Sequence, residues 1–388
     1  MPEGPKGPLA GVRVVELATV VAGPGTGKYL ADFGAEVVKV EAPGGDPTRR
    51  MGWTGPSEAD SYFWKLLNRN KLSVTLDLKS DTGRESLRAL LDGADVLIEN
   101  MRPGKLEALG FGCEDLLRAN PRLVILRVSG FGQDGPYAQH PGFATIAEAL
   151  SGFSALLGEP DGGPRLPPIA LTDEVTALVG AFSVLAALRH AEKTGEGQVI
   201  DVSLLDSMFQ IMGPLVSAFA HLGYIQPRLG SGIPYTVPRG TYRCADGKWV
   251  AISASADSVA ARLLDLIGLT GDVRFASFQD RTANREALEQ HLRAWVAARP
   301  MDEIIREFRR VDAAVAPVFD MSDVFRDAHF KARGTITEVE GVVMQNVVAR
   351  LSKTPGEIRH PGRAFGADTA AVLGRLGDPP RNDETGAG

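Results

Sequence analysis

Cysteine is almost absent from this chain. The two residues present, Cys113 and Cys244, stand far apart among 388 with no CxxC neighbour. That excludes a disulfide framework and gives no support to a zinc site, so both thiols are expected to pack as small apolar side chains. Dense basic clusters are missing as well. Lys and Arg are spread along the sequence, the net charge is −6 and the isoelectric point lies near 5.6, which argues against nucleic acid as the main partner. An anionic ligand must then be met by a local pocket. No run approaches the roughly 18 uncharged apolar residues of a membrane span. The opening Met1-Pro-Glu-Gly-Pro-Lys-Gly-Pro lacks the apolar core of a secretory signal. These absences predict a cytoplasmic protein with no metal centre.

With 44% hydrophobic and 23% charged residues, the chain is of ordinary globular composition and long enough for two domains. Its first 130 residues alternate strand and helix. Val12 to Leu17 reads as a buried strand, Gly23 to Gly27 as a glycine-rich turn, Tyr29 to Phe33 as the end of a short helix, and Glu36 to Val40 as the next strand. Strands at Ser73 to Leu76, Asp95 to Ile98 and Leu123 to Val128 follow, with helices over Gly83 to Leu91 and Cys113 to Arg118. Such alternation predicts a parallel sheet covered by helices, with ligands at the carboxyl ends of its strands.

The glycine turn invites two nucleotide readings. Ala22-Gly-Pro-Gly-Thr-Gly-Lys-Tyr resembles a phosphate loop, but Tyr29 stands where the metal-binding Ser or Thr belongs. As a dinucleotide fingerprint the glycines are one residue short, although Glu41 closes the next strand where a ribose-binding acid would sit. A structural turn fits the same residues.

Asp173 is the most informative position. Behind it, Val175, Leu178, Val179, Phe182, Leu185 and Leu188 recur at helical spacing, and Ala177, Gly180, Ala181, Ala186 and Ala187 fill the other faces. The pattern predicts a helix inside the protein with Asp173 at its N-terminal mouth. Free amide groups and the helix dipole favour an ionised, partly dehydrated carboxylate there, which suits a nucleophile. Position alone favours the plainer reading of a helix cap.

Several segments occur in a telling order. They are Leu9-Ala-Gly-Val-Arg-Val-Val-Glu-Leu, Ala22-Gly-Pro, Leu30-Ala-Asp-Phe-Gly-Ala-Glu-Val-Val-Lys-Val-Glu and Asn68-Arg-Asn-Lys-Leu-Ser-Val-Thr-Leu-Asp-Leu-Lys. Asp95-Val-Leu-Ile-Glu-Asn-Met-Arg-Pro-Gly, Gly130-Phe-Gly-Gln-Asp-Gly-Pro-Tyr, Thr194-Gly-Glu-Gly-Gln-Val-Ile-Asp-Val-Ser-Leu-Leu-Asp and Gly366-Ala-Asp-Thr follow. Together they resemble the class III coenzyme A transferases, the family of formyl-CoA and carnitine CoA transferases, over nearly the whole chain.

The resemblance implies that Asp173 is the catalytic nucleophile. It would pass an acyl group through aspartyl anhydride and aspartyl-CoA thioester intermediates with no permanently bound cofactor; coenzyme A and acyl-CoA are substrates. It also implies a coenzyme A site. Val20, Val21 and Ala22 match the loop after the first strand, Leu76 and Lys79 the segment along the adenosine, and Asn100, Met101 and Arg102 the stretch along pantetheine and pyrophosphate. Lys79 and Arg102 could meet phosphate oxygens. Formyl-CoA transferase carries an arginine where this chain has Ala42, which leaves Arg49, Arg69 or Lys71 as candidates for the adenosine phosphate. The alternative within the fold is a 2-methylacyl-CoA racemase. Racemases place a His-Asp pair where this chain reads Phe143-Ala144, and phenylalanine cannot move a proton. Many transferases keep an acid at the place of Ala144; Glu148, one turn on, reads as a polar residue on a helix face or as a substitute for that acid.

After His221 the chain changes character. Gly223 to Gly240 is a glycine- and proline-rich loop, and Gly240 to Ser253 reads as a hairpin turning at Asp246-Gly247. Amphipathic helices near Val259 to Ile267 and Asn284 to Ala298 complete a smaller α+β domain, and Ala313 to Val318 and the strand-like Thr335 to Val343 lead back. The expected organisation is α/β. Residues 1–222 and 331–388 form a Rossmann-like, coenzyme A-binding large domain, and 223–330 form the small one. The resemblance implies an interlocked homodimer. Arg239 and Tyr242 are the candidates for the acceptor, Arg239 through a bidentate pair with the distal carboxylate of a diacid, which would make succinyl-CoA or another dicarboxylyl-CoA the donor. The physiological donor and acceptor stay open at this point.

Overall fold

The computed structural model describes residues 7–56 and 58–376. The opening stretch Met1 to Lys6 and the end of the expected C-terminal return lie outside them. The chain divides into two units, residues 1–151, 167–211 and 333–388 in the first and 152–166 and 212–332 in the second. The segment 152–166 and the helix Leu215–Leu222 therefore belong with the small unit, whereas the sequence reading placed both in the large domain.

In the first unit, β1 (Arg13–Glu16), α1 (Ala22–Asp32), β2 (Glu36–Glu41), α2 (Tyr62–Leu67), β3 (Lys71–Thr75) and α3 (Asp81–Asp92) open the chain. β4 (Val96–Glu99), α4 (Lys105–Ala108), α5 (Cys113–Ala119), β5 (Val124–Ser129) and α6 (Ala144–Leu150) follow. After α7 (Phe153–Leu156) of the second unit come α8 (Leu171–Thr194), β6 (Val199–Ser203) and α9 (Leu204–Gln210). The six strands form one parallel sheet in the order β3-β2-β1-β4-β5-β6. Val14, Val15, Val37, Val38, Val96, Leu97, Ile98, Ile125 and Leu126 are buried, so both sheet faces are covered, as helix-flanked parallel strands require. One apolar cluster joins the sheet to α1 and α8, the other to α3 and α5. The C-terminal segment returns to the β3 edge. There the Asp368 carboxylate accepts the Ser73 amide (2.9 Å) and the Thr369 hydroxyl accepts the Thr75 amide (3.0 Å), as a large domain built from both ends of the chain requires.

Two expectations fail here for one reason. Gly23 to Gly27 is no turn but the first half of α1, and its glycines admit close neighbours. A Cβ on Gly25 would lie 2.7 Å from the Ala177 Cβ, and one on Gly180 would lie 2.6 Å from the Thr26 hydroxyl. The backbones of α1 and α8 thus meet almost directly, and the Thr26 hydroxyl donates to the Ala177 carbonyl at 3.2 Å. The buried face of α8 is consequently its small-residue face, Thr176, Ala177, Gly180, Ala181, Val184 and Ala187. Of the large apolar residues expected inside, Leu178, Phe182 and Leu185 are exposed, with Phe182 at 73%. Length and apolar composition alone would let α8 cross a membrane, contrary to the expectation that no segment could.

In the second unit, α10 (Leu215–Leu222) leads to β7 (Arg239–Arg243) and β8 (Trp249–Ser253), the expected hairpin. α11 (Asp257–Leu266), α12 (Phe278–Ala283), α13 (Arg285–Ala297) and α14 (Met301–Arg310) precede β9 (Ala314–Pro317), which pairs antiparallel with β8. After α15 (Met321–Arg326) and α16 (Ala328–Arg333), the strand-like stretch proves to be a hairpin, β10 (Ile336–Val339) and β11 (Val342–Gln345), before α17 (Thr369–Leu373).

Candidate active site

The strand order reverses between β1 and β4. In an open parallel sheet the loops leaving the carboxyl ends of such strands diverge to opposite faces and leave a crevice. A cavity of about 310 Å³ lies there. Thr19 to Ala22 after β1, Asn100 to Pro103 after β4 and Val128 to Gly130 at the end of β5 form one side, and Gly142 to Thr145 at the start of α6 form another. Asp173 of α8, Leu204 of α9, Ala138 and His140 complete the wall. A glycine pair lets two of these segments close on each other, because a Cβ on Gly130 would lie 2.7 Å from the Gly142 Cα.

The loop after β1 is held under strain. Val20 has φ 65°, a left-handed conformation that costs a β-branched residue about 1–3 kcal/mol. Asn100 fixes the turn from the neighbouring strand end: its Oδ1 accepts the Thr19 amide at 2.9 Å and its Nδ2 donates to the Thr19 carbonyl at 2.7 Å. Asn100→Ala removes both bonds and is expected to lower stability by about 1–2 kcal/mol. An unchanged urea midpoint would show that the turn holds itself.

Asp173 is the third residue of α8, behind an N-cap, Ala170, that offers no side-chain bond. It is not the N-cap, and it lines the cavity. The ionisation differs from the sequence expectation as well. Burial first, then the negative charges of Glu148 and Glu174, push the Asp173 carboxyl up to about 6, against the lowering effect of its own amide. The helix mouth therefore does not dominate. Glu148, on α6, is 3% exposed and accepts the Thr172 hydroxyl at 2.9 Å, so it is a buried partner of the first turn of α8 rather than a solvated face residue. Glu174 turns to α1, accepting the Tyr29 hydroxyl at 2.8 Å and lying 3.4 Å from Lys28.

Seven of the anticipated residues share this cavity: Asp173, Val20, Val21, Ala22, Asn100, Met101 and Arg102. Leu76 and Lys79 do not line it. Leu76 is buried in the core just past β3, and Lys79 is exposed ahead of α3, two strands from β1 on the sheet edge. The three bases proposed to replace the missing arginine at Ala42 are committed elsewhere. Arg49 makes a bidentate pair with Glu41 (2.8 and 2.7 Å), Arg69 pairs with Asp32 and Lys71 with Glu16 (2.9 Å), all buried. The same contacts remove the nucleotide readings, since Glu41 is taken by Arg49 and the lysine of the phosphate-loop pattern, Lys28, is buried beside Glu174. In the second unit, Tyr242 is 2% exposed and donates to Glu289 at 2.8 Å. It is a core residue of the small unit and not a substrate contact. Arg239 is exposed and donates to the Ser231 carbonyl at 3.0 Å. His140, stacked on Tyr137 with ring centroids 5.3 Å apart, was not singled out from sequence, because no periodicity marks an isolated histidine in a loop.

The comparisons agree with this architecture. The chain is 40% identical to the succinyl-CoA–L-malate CoA-transferase alpha subunit of Chloroflexus aurantiacus over 96% of its length and 89% of that protein's. It is 34% identical to a succinate–glutarate CoA-transferase of Agrobacterium fabrum, covering 96% of both. Among solved structures, a CaiB/BaiF family protein from Brucella suis superposes with a TM-score of 0.85 at 33% identity, over 96% of this chain and 100% of the other. Residues 9–369 match the family described as CoA-transferase family III. With that match spanning nearly the whole sequence and the sheet, crevice and relatives in agreement, the chain belongs to CoA-transferase family III and is a CoA-transferase.

Proposed function

We propose that this enzyme moves coenzyme A from succinyl-CoA, or another dicarboxylyl-CoA, to a carboxylic acid acceptor, with Asp173 as the covalent carrier. The observation that carries this reading is the partly buried Asp173 carboxylate, set on the first turn of α8 in the crevice at the switch point of the sheet. A carboxylate oxygen attacks the thioester carbonyl, the C–S bond breaks, and coenzyme A leaves as thiolate from a mixed anhydride. The thiolate then attacks the aspartyl carbonyl and expels the donor acid, leaving an aspartyl-CoA thioester. The acceptor carboxylate displaces the thiolate to form a second anhydride, and the thiolate's attack on the acceptor carbonyl yields the new thioester and free Asp173. Each intermediate keeps the acyl group activated, so water must be kept out during the exchange.

Val20, Val21, Ala22, Asn100, Met101 and Arg102 are the residues assigned to coenzyme A, with Arg102 and His140 as the polar groups nearest its phosphates or thioester. Leu76 and Lys79 are assigned to the adenosine end. The relatives named for succinyl-CoA with malate, or for succinate and glutarate, support a dicarboxylate preference. We assign Arg239 to the distal carboxylate. A panel of acyl-CoA donors against succinate, malate, glutarate, itaconate, formate and oxalate tests the pairing. Arg239→Ala is expected to raise KM for diacids about tenfold and leave formate unchanged, the loss of one charge-assisted pair; equal effects on both would remove the assignment. The racemase reading keeps one observation in its favour, the imidazole of His140 in the cavity, and predicts solvent exchange of a 2-methylacyl-CoA α-proton.

We further infer a cytoplasmic homodimer. Leu178 and Phe182 on α8, with Phe209 and Ile211 at the end of α9, are large apolar side chains left exposed in the first unit, and a face of this kind marks an association surface.

A further inference from the structure

We propose that Glu148 is a positioning residue that drives acylation of Asp173 by crowding it with a second, buried negative charge. The inference rests on the covalent role of Asp173 proposed above.

The geometry is specific. Glu148 lies on α6, which packs against α8, and the start of α6 lines the same crevice as Asp173. Its carboxylate is held by the Thr172 hydroxyl (2.9 Å), one residue before Asp173, and Thr172 is itself fully buried with its carbonyl bonded to the Thr176 hydroxyl at 2.7 Å. Glu148 is therefore buried and bonded to the first turn of α8. The other acids of the neighbouring elements, and Arg127, are committed. Glu174 on α8 is answered by Lys28 and Tyr29 of α1, and Asp32 of α1 by Arg69. Asp206 of α9 takes the Ser203 hydroxyl at 2.6 Å, Arg127 of β5 pairs with Glu99, and Asp201 of β6 accepts the Gln133 amide. Arg102 and His140 line the same crevice. No cation is paired with Glu148 among the described residues.

Like charges brought together out of water repel strongly. The resting enzyme bears that repulsion, and each covalent intermediate relieves it. When Asp173 becomes an anhydride or a thioester its charge is gone, transferred to the coenzyme A thiolate or to the departing carboxylate. The repulsion thus raises the free carboxylate but not its acylated forms. It favours acylation and makes the attacking oxygen more basic, and it explains in part why burial with Glu148 holds the Asp173 carboxyl near 6.

The test is Glu148→Gln, which keeps the shape and can still accept the Thr172 hydroxyl, beside Glu148→Asp, which keeps the charge. In the glutamine variant the acid limb of kcat/KM is expected to move down by about one pH unit, and the fraction of enzyme trapped by hydroxylamine at Asp173 under saturating acyl-CoA to fall several-fold. KM for the acceptor should hold, and the aspartate variant should keep the wild-type limb. An acid limb and trapped fraction unchanged in a folded glutamine variant would overturn the role of Glu148 while leaving Asp173 as the carrier. Absence of any Asp173 adduct in the wild type would instead remove the covalent reading on which this rests. Equal losses in both variants, with the acid limb unmoved, would mean that Glu148 only packs.

Discussion

Asp173→Asn is expected to leave a folded protein whose transfer activity is reduced by on the order of 10⁴-fold or more, the scale on which loss of a covalent nucleophile is felt. The amide is nearly isosteric but cannot form the anhydride. The pH dependence follows from the same side chain. Attack needs the carboxylate, and with its carboxyl pushed up to about 6 the wild-type kcat/KM should fall as pH drops through that value. Stability should run the other way. A carboxyl raised on folding binds its proton more tightly in the native state, so its ionisation costs the native state as pH rises from about 4 to about 6. Removing the charge should return about 1–2 kcal/mol at neutral pH, after allowance for the partial exposure of the group. Urea unfolding at pH 5 and 7 reads this directly. A variant as active as wild type would end the covalent assignment, and one that is inactive but less stable at pH 7 would end the electrostatic account of the crevice.

Gly27→Ala is expected to be among the most destabilising single-methyl changes in the chain. An exposed helical glycine normally gains about 1 kcal/mol on substitution by alanine. Here the new Cβ would lie 1.9 Å from Oε2 of Glu16, a buried carboxylate that holds Lys71 at 2.9 Å and Lys39 at 3.2 Å. Lys39 is bound in turn to Asp46 at 2.8 Å. Displacing Glu16 leaves two buried ammonium groups short of their partner, and breaking such pairs costs about 3–5 kcal/mol, so a net loss of about 2–4 kcal/mol remains. Gly44→Ala is the control, with nothing within 4 Å of the added methyl, and should shift the midpoint by less than about 0.5 kcal/mol. Equal midpoints for the two variants would mean that α1 does not need its glycines for close approach.

The βαβ alternation was readable because strands buried on both faces are runs of β-branched residues, and a run of that kind depends only on its own composition. The motifs at Val20 to Ala22 and at Asn100 to Arg102 were readable as ligand loops only through the family resemblance, and the structure gathers them with Asp173 around one crevice. Glycine was harder. Gly23, Gly25 and Gly27 look like a turn from propensity alone, and only packing explains glycines in a helix there: an added Cβ would meet Ala18 at Gly23, Ala177 of α8 at Gly25 and Glu16 at Gly27. The contact with α8 inverted the burial of that helix, hiding its small face and exposing Phe182.

What the sequence determined by itself was the class of fold, the family and the place of Asp173 at the start of a long helix, since each is written in local pattern and in the order of segments. The tertiary structure alone decided which charges are free. Arg49, Arg69, Lys71 and Tyr242 carry reactive or ligand-binding groups on paper, yet each is buried against its own acid, and Glu148, which reads as ordinary, stands behind Asp173. The physical reason is that hydrophobic periodicity is a property of one segment, whereas the state of an ionisable group is set by desolvation and by partners that only folding brings within a few ångströms.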